Sequence, residues 1–190
     1  EYLSFNFSGD GEAERVVEEY LGLVERAEAV ATRLPPEARD AYFQLVLYPI
    51  KASAVVQELY VSAGFNQLYA AQGRASATAM AARARALFEE DAALTARYHA
   101  LGGGRWNRMM SQTHLGYTYW QQPPVNAMPG VQEVQPVEGK ALGVAIEGME
   151  SAWPEGQGRP VLPVLNALDR TPRYIELFNR GRTPYAYTAS

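Results

Sequence analysis

GGGRWNRMMSQTHLGYTYWQQPP, from Gly102 to Pro124, divides the chain into two unlike parts. Upstream of it, apolar residues return every three or four positions, the period of a helix. Downstream they return every second position, the period of a strand. Three glycines open the stretch and two prolines close it, and these residues stop helices and start extended segments. Between them stand Trp106 and Trp120, two of the chain's three tryptophans, with His114, Tyr117, Tyr119 and the amides Asn107, Gln112, Gln121 and Gln122. So dense a group is either a binding surface or a seam between two pieces of structure. Tryptophan and tyrosine bury large areas yet need a partner for N–H or O–H, and a helix-to-sheet junction offers both. The seam is therefore the preferred reading, with Trp120 and Tyr117 packed inside it.

Upstream, three helical stretches are expected. The first runs from Glu12 to about Leu34, with Val16, Tyr20, Leu23, Ala27, Val30 and Leu34 as its apolar stripe. Ser8 to Gly11 supply turn and capping chemistry before it, and the acidic first turn suits the positive end of the helix dipole. Its run of glutamates reads as a solvated face. Pro35 and Pro36 end it, and Pro36 starts the next helix, which extends from about Glu37 to Ala71. Pro49 lies inside that helix and predicts a kink or break near Tyr48. Gly73 closes it. The third helix runs from Ser76, as N-cap, to Leu101, with Met80, Ala84, Leu87, Leu94 and Tyr98 as its stripe and Phe88 and Asp91 beside it.

Downstream, Pro123, Pro124, Pro129 and Pro136 mark an extended linker. Leu142, Val144 and Ile146 then alternate with smaller residues, and Tyr174, Glu176 and Phe178 alternate with Ile175 and Leu177. Asn179-Arg180-Gly181 reads as a turn into a return strand over residues 185–188, and Val161 to Leu165 as a further strand weakened by Pro160 and Pro163. The fold class that follows is mostly α: a bundle of three to five helices, then a short, incomplete antiparallel β-sandwich segment. The boundaries are 1–122 for the bundle, 123–139 for the linker and 140–190 for the partial sandwich, which is too short for a closed one.

Composition narrows the function classes. The chain has 190 residues, 47% of them hydrophobic, so a packed core is expected. Its net charge of −4 argues against nucleic acid as a partner. No apolar run approaches the roughly 20 residues that cross a bilayer. No cysteine is present, so disulfides and thiolate metal sites are excluded. His99 and His114 have no close ligand spacing and read as hydrogen-bonded structural residues. The Gly102–Gly104 run follows a helix and lacks both phosphate-loop patterns. There is no GxSxG elbow. Glu89, Glu90 and Asp91 are adjacent on a helix, point in different directions and read as surface charges rather than a hydrolytic pair. If the aromatic stretch is instead a binding surface, its rings would stack on sugar C–H faces and its amides would bond hydroxyls.

The strings YFQLVLYPIKASAVVQELYVSA (42–63), NQLYAAQGRA (66–75), ALFEEDAALTARYHALGGGRWNRMMSQTHLGYTYWQQPPVNAMP (86–129) and YIELFNRG (174–181) resemble the C-terminal half of glycoside hydrolase family 115. These are xylan α-1,2-glucuronidases, which remove glucuronic acid or its 4-O-methyl ether from xylan. The resemblance covers nearly the whole chain and is densest from Ala41 to Pro129. It departs from the family's pattern at Arg105 and Arg108, around Trp106-Asn107, and at His99.

The resemblance implies a multidomain parent in which a helical bundle and a β-sandwich follow a catalytic barrel. The chain corresponds to the bundle and the start of the sandwich. The catalytic carboxylates belong to the barrel, so no residue here is assigned a catalytic role, and no metal or cofactor is implied. The segment alone is expected to be inactive. Its implied work is to support the barrel of the same parent chain, to assemble a homodimer and to border the groove for glucuronoxylan oligosaccharide. Trp106, His114, Tyr117, Tyr119 and Trp120 are the candidate substrate-binding or interdomain residues. Secretion or a periplasmic location of a bacterial parent is implied by the same resemblance. Two alternatives stand beside it: a carbohydrate-binding module in its own right, and a structural helical interaction module.

Overall fold

The computed structural model describes residues 5–9, 11–168, 171–184 and 186–188. Four α-helices come first: α1 (Glu12–Arg33), α2 (Pro36–Tyr42), α3 (Tyr48–Ala71) and α4 (Ala77–Gly104), with one π-helical turn, Phe43–Leu47, between α2 and α3. Three strands follow: β1 (Leu142–Ile146), β2 (Ala152–Trp153) and β3 (Ile175–Asn179). They form one antiparallel sheet in the order β2-β1-β3. The described residues are thus mostly α, a helical bundle followed by a short, three-stranded antiparallel β segment.

Proline and glycine set the helix ends. Pro36 occupies the first turn of α2, where its missing N–H costs nothing. Pro49 does not break the chain out of helix. The preceding turn widens instead, and Tyr48 N–H donates to the carbonyl of Phe43, five residues back. This wide turn takes up the distortion that a proline ring imposes on the turn before it. At the end of α3, Gly73 sits at φ 65°. Its N–H donates to Ala70 O and that of Arg74 to Tyr69 O, the paired bonds of a Schellman cap. Ser76 stands at the N-cap of α4 but makes no side-chain cap bond, and Gly11 rather than a polar side chain caps α1. α4 loses right-handed geometry at Leu101, and Gly102 and Gly103 turn left-handed at φ 56° and 70°.

The core lies between α3 and α4, with α1 across one side. α4 contributes Ala77, Ala81, Ala84, Leu87, Asp91, Leu94, Tyr98 and Leu101, all buried, at spacings of three and four. The stripe on α1 is rotated from the expected one. Ala13, Val17, Ala27 and Ala31 face the core, whereas Leu23 and Val30 are exposed. Small residues on the inner side allow the helix axis to approach α3, so alanine displaces the larger apolar residues outward.

The sheet docks on the turn between α3 and α4, where Ala75 N donates to Asn179 O. β1 pairs with β3 so that Gly143 lies opposite Phe178 and Val144 opposite Leu177. The ring of Phe178 covers Gly143 so closely that a Cβ there would overlap it. Gly143 and Ala145 are buried on that face of β1; on the other face Ile146 is buried and Leu142 is exposed. Residues 161–165, expected as a strand, have no regular structure and are largely exposed. Of the expected return strand, Tyr185 lies outside the described residues and 186–188 form no strand. Gly181 bridges instead to Val137, in parallel. The proline-rich stretch is extended and bound along the helices. Asn66 donates to Gln132 O and accepts from Gln132 N, at 2.9 and 2.7 Å.

Candidate functional site

The site begins with a charge in the wrong place for a soluble helix. Asp91 lies four residues after Leu87 and three before Leu94, on the stripe that faces the core, and is only 4% exposed. A buried carboxylate is costly unless paired. His114, on the loop after α4, supplies the partner. Its Nε2 lies 3.0 and 2.9 Å from the two carboxylate oxygens of Asp91. Its Nδ1 lies 3.1 Å from the carbonyl oxygen of Gln112. Both facing groups are acceptors, so the ring with a proton on each nitrogen satisfies both. Burial pushes the imidazolium of His114 toward a lower pKa. The bonds to Asp91 and to Gln112 O and the carboxylate's charge outweigh it, and the result is raised above the ordinary 6.5.

The loop that carries His114 is held at several points. Asn126 Oδ1 accepts the N–H groups of both His114 and Leu115, at 2.8 and 3.0 Å. Leu115 is fully buried in the core. His99 Nε2 accepts from Met110 N at 3.2 Å, which ties the start of the loop back to α4. Gly116 combines φ 88° with Ala127 pressed against its α-carbon, so a side chain fits neither its backbone nor its space. Tyr117 donates to Thr113 O across the same turn.

Between this loop and α3 and α4 opens a cleft of about 700 Å³. Ala52 and Val56 of α3, with Met109, Met110 and Tyr117 of the loop, give it an apolar wall. Ser53, Gln57, Gln112 and the Asp91–His114 pair give it polar groups. An apolar wall with a few placed hydrogen-bonding groups is the ordinary composition of a small-molecule site. Both ring nitrogens of His114 and both oxygens of Asp91 are already engaged, so neither residue is presented as a free base or metal ligand. Among the described residues there is no group of three or more His, Cys, Asp or Glu side chains that could hold a metal ion.

The structure sorts the sequence-derived candidates into three places. His114 and Tyr117 line the cleft. Trp106 is half-buried and packs on the bundle core. Tyr119 and Trp120 stand in solvent, 60% and 88% exposed, with their rings edge to face at 6.5 Å. Trp120 therefore does not fill a seam between bundle and sheet. Asp91, expected as a surface charge beside Glu89 and Glu90, is buried.

The seam between bundle and sheet is built around Arg74, which the sequence does not single out. Its guanidinium is sandwiched between the rings of Tyr69 and Phe178, 4.3 and 4.2 Å from their centroids. It also donates to Gln72 Oε1 and Glu176 Oε2, each at 2.5 Å. Gln72 in turn donates to Glu150 O, and Ala75 N to Asn179 O. Asp91 had a readable signal, since a carboxylate on the period of an apolar stripe has to find a partner. Arg74 had none, because the partners that make it a joint, Glu176 and Phe178, lie on β3, far along the chain.

No helix among the described residues is long and apolar enough to cross a membrane. The chain matches no protein-family model and no curated protein.

Proposed function

We propose that the chain is a non-catalytic, glycan-contacting segment of an exported α-glucuronidase acting on glucuronoxylan. In this reading it supports a catalytic barrel of the same parent polypeptide, takes part in a homodimer and borders the substrate groove. The residue strings resembling glycoside hydrolase family 115 support the enzyme class. The observation that carries the local role is the cleft. Its titratable pair is internally satisfied, its wall is apolar and includes Tyr117, and two exposed aromatic residues follow Tyr117 within three positions. Such a surface can stack a sugar ring and bond its hydroxyls without activating a water or a nucleophile. The principal alternative, a purely structural helical module, draws on the exposed residues of α1, Leu23 and Val30, which leave an apolar helix face to cover.

Two measurements on the chain test the reading. Calorimetric titration with 4-O-methylglucuronoxylan oligosaccharides is expected to show saturable binding, and incubation with aldouronic acids to release no glucuronic acid. Turnover by the chain itself overturns the non-catalytic assignment. Absence of binding overturns the glycan role of the cleft and leaves the structural module.

A further inference from the structure

We infer that the cleft takes a neutral pyranose ring of its glycan and discriminates against the uronate. This rests on the reading of the cleft as a glycan site and goes beyond it by naming the part of the glycan that is held. A uronate carboxylate needs a cation or several free N–H donors when it leaves water. No lysine or arginine lines the cleft among the described residues. The one cation present, His114, spends both N–H groups, on Asp91 and on Gln112 O. A ligand carboxylate would have to break one of those bonds, and would meet the buried charge of Asp91 behind the ring. The pair is neutral as a unit, so it offers nothing to an anion and repels nothing neutral.

What the cleft does offer suits an uncharged sugar ring. Val56, Met109 and Tyr117 give an apolar wall for its C–H face. The hydroxyl of Ser53 and the amides of Gln57 and Gln112 can each donate or accept, as sugar hydroxyls require. Site polarity and ligand polarity then match without an unpaired charge.

Calorimetric titration of the chain with xylohexaose and with sodium glucuronate tests this. Xylohexaose is expected to bind and glucuronate to bind at least about tenfold more weakly. Equal or tighter binding of glucuronate overturns the inference while the glycan role stands. Binding of neither overturns both. Asp91→Asn removes the buried negative charge that a ligand carboxylate meets behind the ring. It is expected to shift the preference toward glucuronate by at least about tenfold, an outcome that a merely structural role for Asp91 would not produce. If Asp91→Asn fails to fold, Gln57→Ala serves instead. Weaker xylohexaose binding with unchanged glucuronate binding supports the inference, and equal loss for both ligands overturns it.

Discussion

Two buried charges, Arg74 in the turn between α3 and α4 and Asp91 midway along α4, do opposite things. Arg74 is closed in on every side, by two aromatic faces, an amide oxygen and a carboxylate. Its partners come from α3 and β3, so satisfying the charge also fastens the sheet to the bundle. Asp91 is satisfied from one side only, by His114, and a cleft of about 700 Å³ opens beside the pair. A charge saturated by distant elements makes a joint. A charge saturated by one loop, next to open space, makes a site.

The largest expected effect breaks the joint. Arg74→Met keeps much of the side-chain volume and removes the charge. It is expected to cost about 3 kcal/mol in urea unfolding, the low end for a broken buried pair, because Glu176 is half-exposed and can be rehydrated. Arg74→Lys should recover little of this, since an ammonium cannot stack between two rings and serve two acceptors in a plane. A loss below about 0.5 kcal/mol, the range of ordinary surface changes, would show that the sheet is held by something else.

The second effect belongs to the cleft and depends on pH. The folded-state pKa of His114 lies above its unfolded value, so the stabilisation from the ion pair is fully present below about pH 6.5 and is lost as pH rises through the folded value. The groups facing His114 are Asp91 from α4 and the Gln112 carbonyl from its own loop; the other titratable side chains of the cleft are Tyr48 and Tyr117. The stability gap between the wild type and His114→Gln, from urea unfolding, should therefore shrink from about pH 6 to about pH 9. A constant gap across that range would mean that the ring acts only by packing.

The smallest effect separates two tryptophans only 14 positions apart in sequence. Trp106 packs on the core, whereas Trp120 is 88% exposed. Trp120→Ala should change stability by less than about 0.5 kcal/mol, while Trp106→Ala should cost about 2 kcal/mol, less than a fully buried tryptophan. Comparable losses in thermal melts would place Trp120 in contacts that the chain by itself does not make.

Legibility followed the range of the interaction. The glycines at 73 and 102–103 and the prolines at 35, 36 and 49 act on their own turns, so the helix boundaries were readable to within a few residues. Even there, Pro49 widened a helical turn where a break was equally compatible with the sequence. The phase of α1 was misread because alanine scores weakly as apolar, yet fits best where two helix axes approach. In the β region, alternation located β1 and β3. It did not show that 161–165 would stay irregular, because pairing depends on a neighbouring strand and not on the segment itself.

By itself the amino-acid sequence determined the mostly helical class, the helix ends, the change to strand periodicity beyond Pro124 and the gathering of aromatic residues in one loop. Those follow from backbone geometry and from patterns within a few residues. Only the tertiary structure decided which aromatics face water, that Asp91 reaches His114 and that Arg74 joins bundle to sheet. Each of those depends on bringing groups from distant parts of the chain to within hydrogen-bonding distance, and a buried charge is tolerated only where such a partner arrives.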